Sequence, residues 1–574
     1  MPPTLLTLLA IAVSLFCVLF ELGGYPLMQP DEGRNAEVAR EMLESSAWLV
    51  PLYNGLPYLD KPAFYFKAVA LSLGLFGEHE AAARAVSAAF ALATLLLIHR
   101  FCRRHYDART AAIAVIVVAT TPLFIAFSRI VIFDMTLAFF VSAAIIACFE
   151  AAESADRVRR VRHYRLAAAA IGCATLVKGP VGFVVPTLVT AAQRAWIGDR
   201  RWWHEAFAWQ NIAIFLALVL PWFVGVSLQQ PDFPYYGLVK ESLQRFTSNE
   251  FHRAAPFYYY AVIIALCFLP WSALLPGAIA MAWRNRGRIA PADRLLMSWT
   301  IVVVLFFSLS QSKLPGYILT GVIALGVLTG RLFAVAIARG EASHARAAVR
   351  GGALVLAVSL GLAAALIGLI VTKPDVLASL PPKTTAHLAD LTPLFRPLAW
   401  LLAGSAVLAL YGLVSRDPRR VLSAFIIFPL LLVVLTTRHV GSYIGPRSAR
   451  ELAEHVPELG RDVQLACYMC FPNGLPFYLK RPIAVVSYKD GRELESNYVR
   501  FRLLDAPVWP EPMIRESDFR GWVERRDQPV YLLVKQRDLT KVGELLGPTA
   551  PEFAHLAGEY WGGWIPAGAA SAGR

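Results

Sequence analysis

Read for its apolar and polar positions, the chain is a succession of long apolar runs joined by short polar connections, until about residue 440. A membrane helix needs ~20 largely apolar residues. Thirteen segments fit, some of them short: about 4–22, 80–99, 110–126, 133–150, 166–178, 180–196, 208–228, 258–282, 294–311, 316–338, 351–372, 397–414 and 421–436. Lys178-Gly179-Pro180 must then act as a tight turn that divides 166–196 into two helices. The first run, Leu5 to Leu22, lacks a basic leader and a small-residue cleavage site, so it reads as a retained helix. Beyond 440 the pattern changes. Gln464–Tyr468, Pro482–Tyr488 and Val530–Val534 read as strands, while Ser448–Leu459 and Ser517–Arg526 read as helices, with Ser517 as an N-cap. The predicted fold class is a polytopic α-helical membrane protein of about thirteen helices with a small C-terminal α/β domain. Its expected divisions are 1–437, carrying loops 23–79 and 229–257, and 438–574.

Composition supports the same class: 57% of the 574 residues are hydrophobic and 17% charged, more apolar surface than a soluble core could bury. The net charge of +14 would suggest nucleic acid in a soluble chain. Here the cations fall in alternate connections, so no nucleic-acid partner is implied: Arg100/Arg103/Arg104/Arg109, Arg157/Arg159/Arg160/Arg162/Arg165, Arg194/Arg200/Arg201, Arg284/Arg286/Arg288, Arg331/Arg339/Arg346/Arg350 and Arg416/Arg419/Arg420. With thirteen spans all six lie on one side, which the positive-inside rule makes cytoplasmic. The N-terminus is then inside, and everything after about 437 outside. Cys17, Cys102, Cys148, Cys173 and Cys267 fall in or beside apolar runs, and no disulfide framework follows. Cys467 and Cys470 read as a buried pair or a local disulfide; with no second Cys or His pair nearby, neither zinc nor redox chemistry is expected of them.

The outer loops hold the unusual residues. Gln29-Pro30-Asp31-Glu32-Gly33-Arg34 places two adjacent carboxylates beside the bilayer, where desolvation is costly and acids usually mark chemistry or transport. Arg34, Glu37 and Glu41 then form a charged stripe on a helix. Group transfer to an acceptor needs a base for the acceptor proton and something to hold the leaving group. Asp31 and Glu32 supply carboxylates. Arg34, Lys61, Lys178, Arg245 and Lys313 supply outer-side cations that the positive-inside bias disfavours, a set suited to a phosphate or pyrophosphate leaving group. Asp134, in Ile132-Phe133-Asp134-Met135-Thr136, is a lone acid among apolar neighbours. Plainer readings stand beside these. Asp31-Glu32 also has the form of a capping pair, Lys178 of a snorkelling lysine at a turn, and Asp60-Lys61 of a local ion pair. Arg245 has Glu241 one turn away, His252 reads as a polar loop residue, and Phe257-Tyr258-Tyr259-Tyr260 reads as an interfacial belt.

In family order, Asp31-Glu32-x-Arg34-x-x-Glu37, Asp60-Lys61-Pro62, Phe133-Asp134, Lys178-Gly179, Pro221-Trp222, Gln244-Arg245-Phe246, His252-Arg253-Ala254-x-Pro256-Phe257-Tyr258-Tyr259 and Lys313-Leu314-Pro315-x-Tyr317 run through most of the membrane part. This set resembles the GT-C superfamily of lipid-phosphate-sugar-dependent glycosyltransferases, and within it the bacterial lipid A 4-amino-4-deoxy-L-arabinose transferases, relatives of protein O-mannosyltransferases. The resemblance implies thirteen spans, a periplasmic C-terminal domain, a bacterial inner-membrane location, an undecaprenyl-phosphate-linked sugar donor and lipid A phosphate as acceptor. It implies Asp31 as catalytic carboxylate supported by Asp134, Arg34 and Lys61 on the lipid phosphate, Tyr58 and Tyr317 lining the same cavity, and inversion at the anomeric centre. No cofactor or obligatory metal is implied. In the family a Glu before Lys-Pro and a His before the Arg-Phe pair can share a divalent metal; Asp60 and Ser242 stand at those positions here. Two other readings remain at this level: the same donor with a protein or glycan acceptor, and a secondary transporter or lipid flippase whose membrane acids couple to ions.

Overall fold

The computed structural model describes residues 2–247, 255–284, 289–338, 343–373, 391–445, 448–460 and 462–567. His252 and Arg253, and Arg286, Arg288 and Arg339 of the basic connections, lie outside the described residues. The chain forms two compact units. One comprises Met1–Leu22, Ser87–Phe223 and Leu238–His439; the other comprises Gly23–Val86, Val224–Gly237 and Val440–Arg574.

All thirteen expected apolar segments are helical. Among the described residues, however, only eight helices are long and apolar enough to cross a membrane, or ten if each of two bent pairs counts as one span. The bent pairs are Ala108–Ala119 with Pro122–Ser128, at 69°, and Tyr259–Cys267 with Trp271–Ala280, at 109°. Each bend contains a proline, Pro122 or Pro270, which cannot continue the backbone hydrogen-bond ladder. The other three segments fall short for local reasons. Pro3–Leu19 and Val181–Trp196 have only 17 and 16 residues, and Arg157–Lys178 is cationic over its first turns.

Within the first unit the helix Ala108–Ala119 is central: every residue from Thr110 to Ala119 is buried. The helix Leu319–Ile337 approaches it through small residues. A Cβ on Gly330 would come within 2.5 Å of Ala114, and one on Gly326 within 2.7 Å of Val118. Close backbone approach of this kind is how helices associate where lipid removes any hydrophobic drive between them. Exposed leucines and valines at helical spacing, such as Leu354, Val358, Leu362 and Leu366, give that unit its apolar exterior.

In the second unit a six-stranded sheet has the order β5-β4-β3-β6-β8-β7. Its strands are β3 (Gln464–Tyr468), β4 (Ala484–Ser487), β5 (Met513–Arg515), β6 (Val530–Lys535), β7 (Ala554–Ala557) and β8 (Tyr560–Ile565). The first four pair in parallel; β8 pairs antiparallel with β6, and β7 with β8. Ser448 caps the helix Ala449–His455, which ends before the expected Leu459. The later helix is Glu516–Glu524, preceded by Arg515 instead of Ser517 at the cap. Cys467 and Cys470 are buried free thiols. The N-terminal stretch of this unit is bound into its C-terminal stretch. A short hairpin, β1 (Leu52–Tyr53) and β2 (Leu56–Pro57), turns at Asn54-Gly55, both with positive φ. Tyr53 Oη donates to Asn473 Oδ1 at 2.7 Å; Asn54 bonds the backbone of Ile483 in both directions, at 2.8 and 2.9 Å. A Cβ on Gly33 would lie 2.7 Å from the Gly474 backbone.

Candidate active site

The expected functional residues fall into two groups, one in each unit. In the second unit, the helix Asp31–Ser45 opens with Asp31 and Glu32 in its first turn, where the helix dipole favours negative charge. Asp31 pairs with Arg34 one turn on, yet its side chain remains 55% exposed while that of Arg34 is only 13% exposed. Arg34 also donates to the Glu495 carbonyl at 2.9 Å and lies 6.0 Å from the Tyr58 ring centre. Burial works against the Arg34 charge, but Tyr58 and Asp31 outweigh it and hold the guanidinium more firmly protonated than usual.

Glu32 has a different fate. Both of its oxygens accept from Arg84, at 2.9 and 2.8 Å, and one also accepts from the Met28 backbone N–H at 3.0 Å. Arg84 is fully buried, donates to the Tyr25 and Pro26 carbonyls, and stacks 3.9 Å from the Tyr25 ring centre. Expected beside Asp31 as a second reactive carboxylate, Glu32 is instead the buried anchor of that helix. The stripe Arg34/Glu37/Glu41 is also turned inward: Glu37 is clasped by Arg40 at 2.7 and 2.8 Å, and Glu41 accepts from the Gly55 N–H at 2.7 Å. Burial raises the Glu41 carboxyl above its ordinary range.

Asp60 accepts three hydrogen bonds. Tyr236 Oη donates at 2.8 Å and the Tyr498 N–H at 2.7 Å to one oxygen, and the Asn497 N–H at 2.9 Å to the other. Lys61 Nζ donates to the Asp60 carbonyl at 2.6 Å. Tyr58 is 2% exposed and packs edge-on against Tyr53 and Phe66. The residues that would share a metal in the family therefore fit that role poorly: both oxygens of Asp60 are engaged by protein donors, and Ser242 offers a neutral hydroxyl in place of an imidazole.

In the first unit, Asp134 begins the helix Asp134–Ala152 and receives Lys178 Nζ at 2.6 Å; the two side chains are 7% and 13% exposed. Lys178 is the last residue of its helix. Gly179 follows with φ +77°, a conformation that frees the chain to turn into Pro180 and the next helix. The ammonium lies 4.9 Å from the Phe133 ring centre and 4.8 Å from that of Tyr317. Gly316 permits this closeness, since a Cβ there would sit 3.1 Å from an Asp134 oxygen and 2.6 Å from Phe127. Asp134, Lys178 and Tyr317 thus form one cluster of acid, cation and aromatic ring. Arg245 follows a π-helix, Tyr235–Gln244, and pairs with Glu241 as their spacing suggests. Lys313 is 8% exposed, with Nζ on the Ser310 carbonyl at 2.6 Å. Tyr260 departs from the interfacial belt expected of its run: it is buried and donates to the Leu314 carbonyl at 3.3 Å, whereas Phe257 and Tyr258 are exposed.

Sequence reasoning missed Arg84, Tyr236 and the N-terminus of the helix Asn497–Leu503. Arg84 carried a usable signal, a single cation in Ala82-Ala83-Arg84-Ala85-Val86 near the start of a predicted span. Tyr236 and Asn497 carried none, because their relation to Asp60 exists only in the folded chain.

Similarities to known proteins extend over most of the chain. Residues 60–224 match the family described as dolichyl-phosphate-mannose-protein mannosyltransferase. The undecaprenyl phosphate-alpha-4-amino-4-deoxy-L-arabinose arabinosyl transferase of Pseudomonas aeruginosa is 29% identical over 541 residues, 92% of each chain. That of Erwinia tasmaniensis is 32% identical over 325 residues, 56% of this chain and 58% of its own. The crystal structure of ArnT from Cupriavidus metallidurans bound to undecaprenyl phosphate superposes with a TM-score of 0.79 and 25% identity, covering 97% of both chains. The chain is a lipid-phosphate-sugar-dependent membrane glycosyltransferase, similar to those of the GT-C superfamily. Within that superfamily it is similar to the bacterial 4-amino-4-deoxy-L-arabinose transferases.

Proposed function

We propose that the protein transfers 4-amino-4-deoxy-L-arabinose from undecaprenyl phosphate to a phosphate of lipid A, with inversion, on the periplasmic side of a bacterial inner membrane. The observation that carries the catalytic assignment is the exposure of Asp31. Of the four acids singled out, its side chain is 55% exposed, whereas Glu32, Asp60 and Asp134 are buried and held by protein donors. A group that meets substrate must be reachable.

In the reaction an oxygen of the acceptor phosphate forms a bond to the anomeric carbon. The bond from that carbon to the lipid phosphate breaks, and its electron pair leaves on undecaprenyl phosphate. Asp31 takes the proton of a monoprotonated acceptor. Arg34, Lys61, Lys178, Arg245 and Lys313 supply positive charge for the departing phosphate. Asp134 orients Lys178; Glu32 and Asp60 act by positioning; Tyr58 and Tyr317 shape the walls. The addition of a cationic sugar masks a lipid A phosphate and weakens attraction to cationic peptides. The topology that goes with this function has thirteen spans, a cytoplasmic N-terminus and a periplasmic 438–574 domain. It is supported by the six basic connections and by the helical state of all thirteen segments.

The test is reconstitution. Full-length protein in liposomes with aminoarabinosyl undecaprenyl phosphate and lipid A should yield sugar-modified lipid A by mass spectrometry, and Asp31→Asn should not. Sugar transfer by Asp31→Asn at the parental rate would remove Asp31 as the catalyst; no lipid A product from the parent, with donor consumed on another acceptor, would replace the acceptor.

A further inference from the structure

Away from the residues discussed so far, the first unit contains a cavity of about 290 Å³. It is bounded by the helices Arg157–Lys178 and Val181–Trp196, the short helix Trp202–Ala206 and the start of Trp209–Gln229. Its walls are apolar, with Ala168, Ile171, Phe183, Trp202 and Phe215 among them. Among the polar groups that line it, Thr187 and Thr190 donate to carbonyls of their own helix, and Asn211 donates to the Glu205 and Ala206 carbonyls. A space so dominated by apolar walls orders little water and suits hydrocarbon. At about 30 Å³ per small group, the volume a water occupies in the liquid, it takes about ten methylene units.

The sequence around one end of this cavity is strongly basic. Residues 153–165 and 194–205 hold eight arginines against four carboxylates. The carboxylates are committed: Asp156 to Arg159, Glu205 to Arg160, and Glu153 and Asp199 to Arg194. Arg157, Arg162, Arg165, Arg200 and Arg201 are exposed and have no carboxylate partner among the described residues. Arg157 and Arg160 continue the helical face of Tyr164, Ala168 and Ile171, which line the cavity, and Arg201 immediately precedes Trp202. Trp196, Trp203 and Trp209 are exposed nearby in sequence, the residue type that settles at the headgroup level of a bilayer.

We propose that this cavity seats an acyl chain of an anionic phospholipid whose phosphate is held by Arg157, Arg200 and Arg201. A hydrocarbon slot beside unpaired arginines favours a lipid with net negative charge over a zwitterionic one of equal chain length. The test is native mass spectrometry of the full-length protein with phosphatidylglycerol or phosphatidylethanolamine carrying the same chains. The expected result is at least fivefold greater retention of phosphatidylglycerol. The triple variant Arg157→Gln/Arg200→Gln/Arg201→Gln should bring the two lipids level. Ala168→Phe, or Thr187→Phe should the first fail to fold, should reduce retention of both while donor-sugar turnover stays at the parental rate. Equal retention of the two lipids by the parent would overturn the proposal, as would undiminished phosphatidylglycerol binding in a folded cavity-filled variant. Displacement of phosphatidylglycerol by undecaprenyl phosphate at equal concentration would overturn it too, by giving the cavity to the donor's chain.

Discussion

Two ion pairs, each an aspartate with one cation, differ in what they leave free. Asp31 and Arg34 pair across one helical turn with the acid more than half exposed, whereas Asp134 and Lys178 pair across two helices with both side chains nearly buried. The first arrangement keeps a carboxylate available; the second fixes a cation in place. Exposure, more than the identity of the partners, separates an acid that can act from one that holds.

Replacement of each pair should sharpen that contrast. Asp31→Asn should lower turnover by about 10²–10⁴-fold, the usual contribution of a positioned acid or base. Its thermal midpoint should move little, because the carboxylate is more than half exposed and Arg34 keeps its bond to the Glu495 carbonyl. Lys178→Met should do the reverse in stability, costing about 3–5 kcal/mol because it strands a buried carboxylate. Lys178→Met combined with Asp134→Asn should recover much of that loss in thermal unfolding of the purified protein. If Lys178→Met unfolds at the parental midpoint, the two pairs do not differ as described.

Asp60 extends the comparison to an acid held by two backbone N–H groups and a tyrosine hydroxyl. Asp60→Ala should cost about 1–3 kcal/mol, since it leaves the Asn497 and Tyr498 N–H groups and the Tyr236 hydroxyl unsatisfied. Tyr236→Phe should cost less, about 1 kcal/mol. The smallest effect is a pH dependence. Burial alone would raise the Asp490 carboxyl, but Arg492 and Arg500 hold it below the usual carboxylate range. A depressed folded value gives stability that is present above the unfolded value near 4 and lost as pH falls below it. Arg500→Gln should therefore lower the unfolding midpoint slightly at pH 7 and flatten its decline between about pH 5 and pH 3, so that variant and parent converge in acid.

The apolar periodicity gave every long helix, because a 20-residue run needs no partner to be recognised. It does not by itself separate a long span from a shorter or more charged helix: Pro3–Leu19, Arg157–Lys178 and Val181–Trp196 are helical where spans are expected, but fall below the other eight in length or apolarity. The parallel strands β3, β4 and β6 were legible as apolar runs bounded by turns. The edge strands were not: β5 has three residues and β8 carries two glycines, so neither shows alternation. The acids themselves were visible. What sequence could not supply was their exposure, which depends on Arg84 for Glu32 and on Asn497, Tyr498 and Tyr236 for Asp60. Adjacent carboxylates in Asp31-Glu32 look equivalent in a string of letters and are opposite in the fold.

The near-touching backbones of Gly33 and Gly474 set a limit on how this protein can be cut or recombined. The helix that bears Asp31 leans on a segment synthesised more than 400 residues later, and even one added methyl group would wedge the two apart. A truncated chain ending near residue 440, or a hybrid whose tail is borrowed from a distant relative, would keep its membrane helices and still deliver Asp31 on an unsupported arm. Loop and tail must therefore change together or not at all.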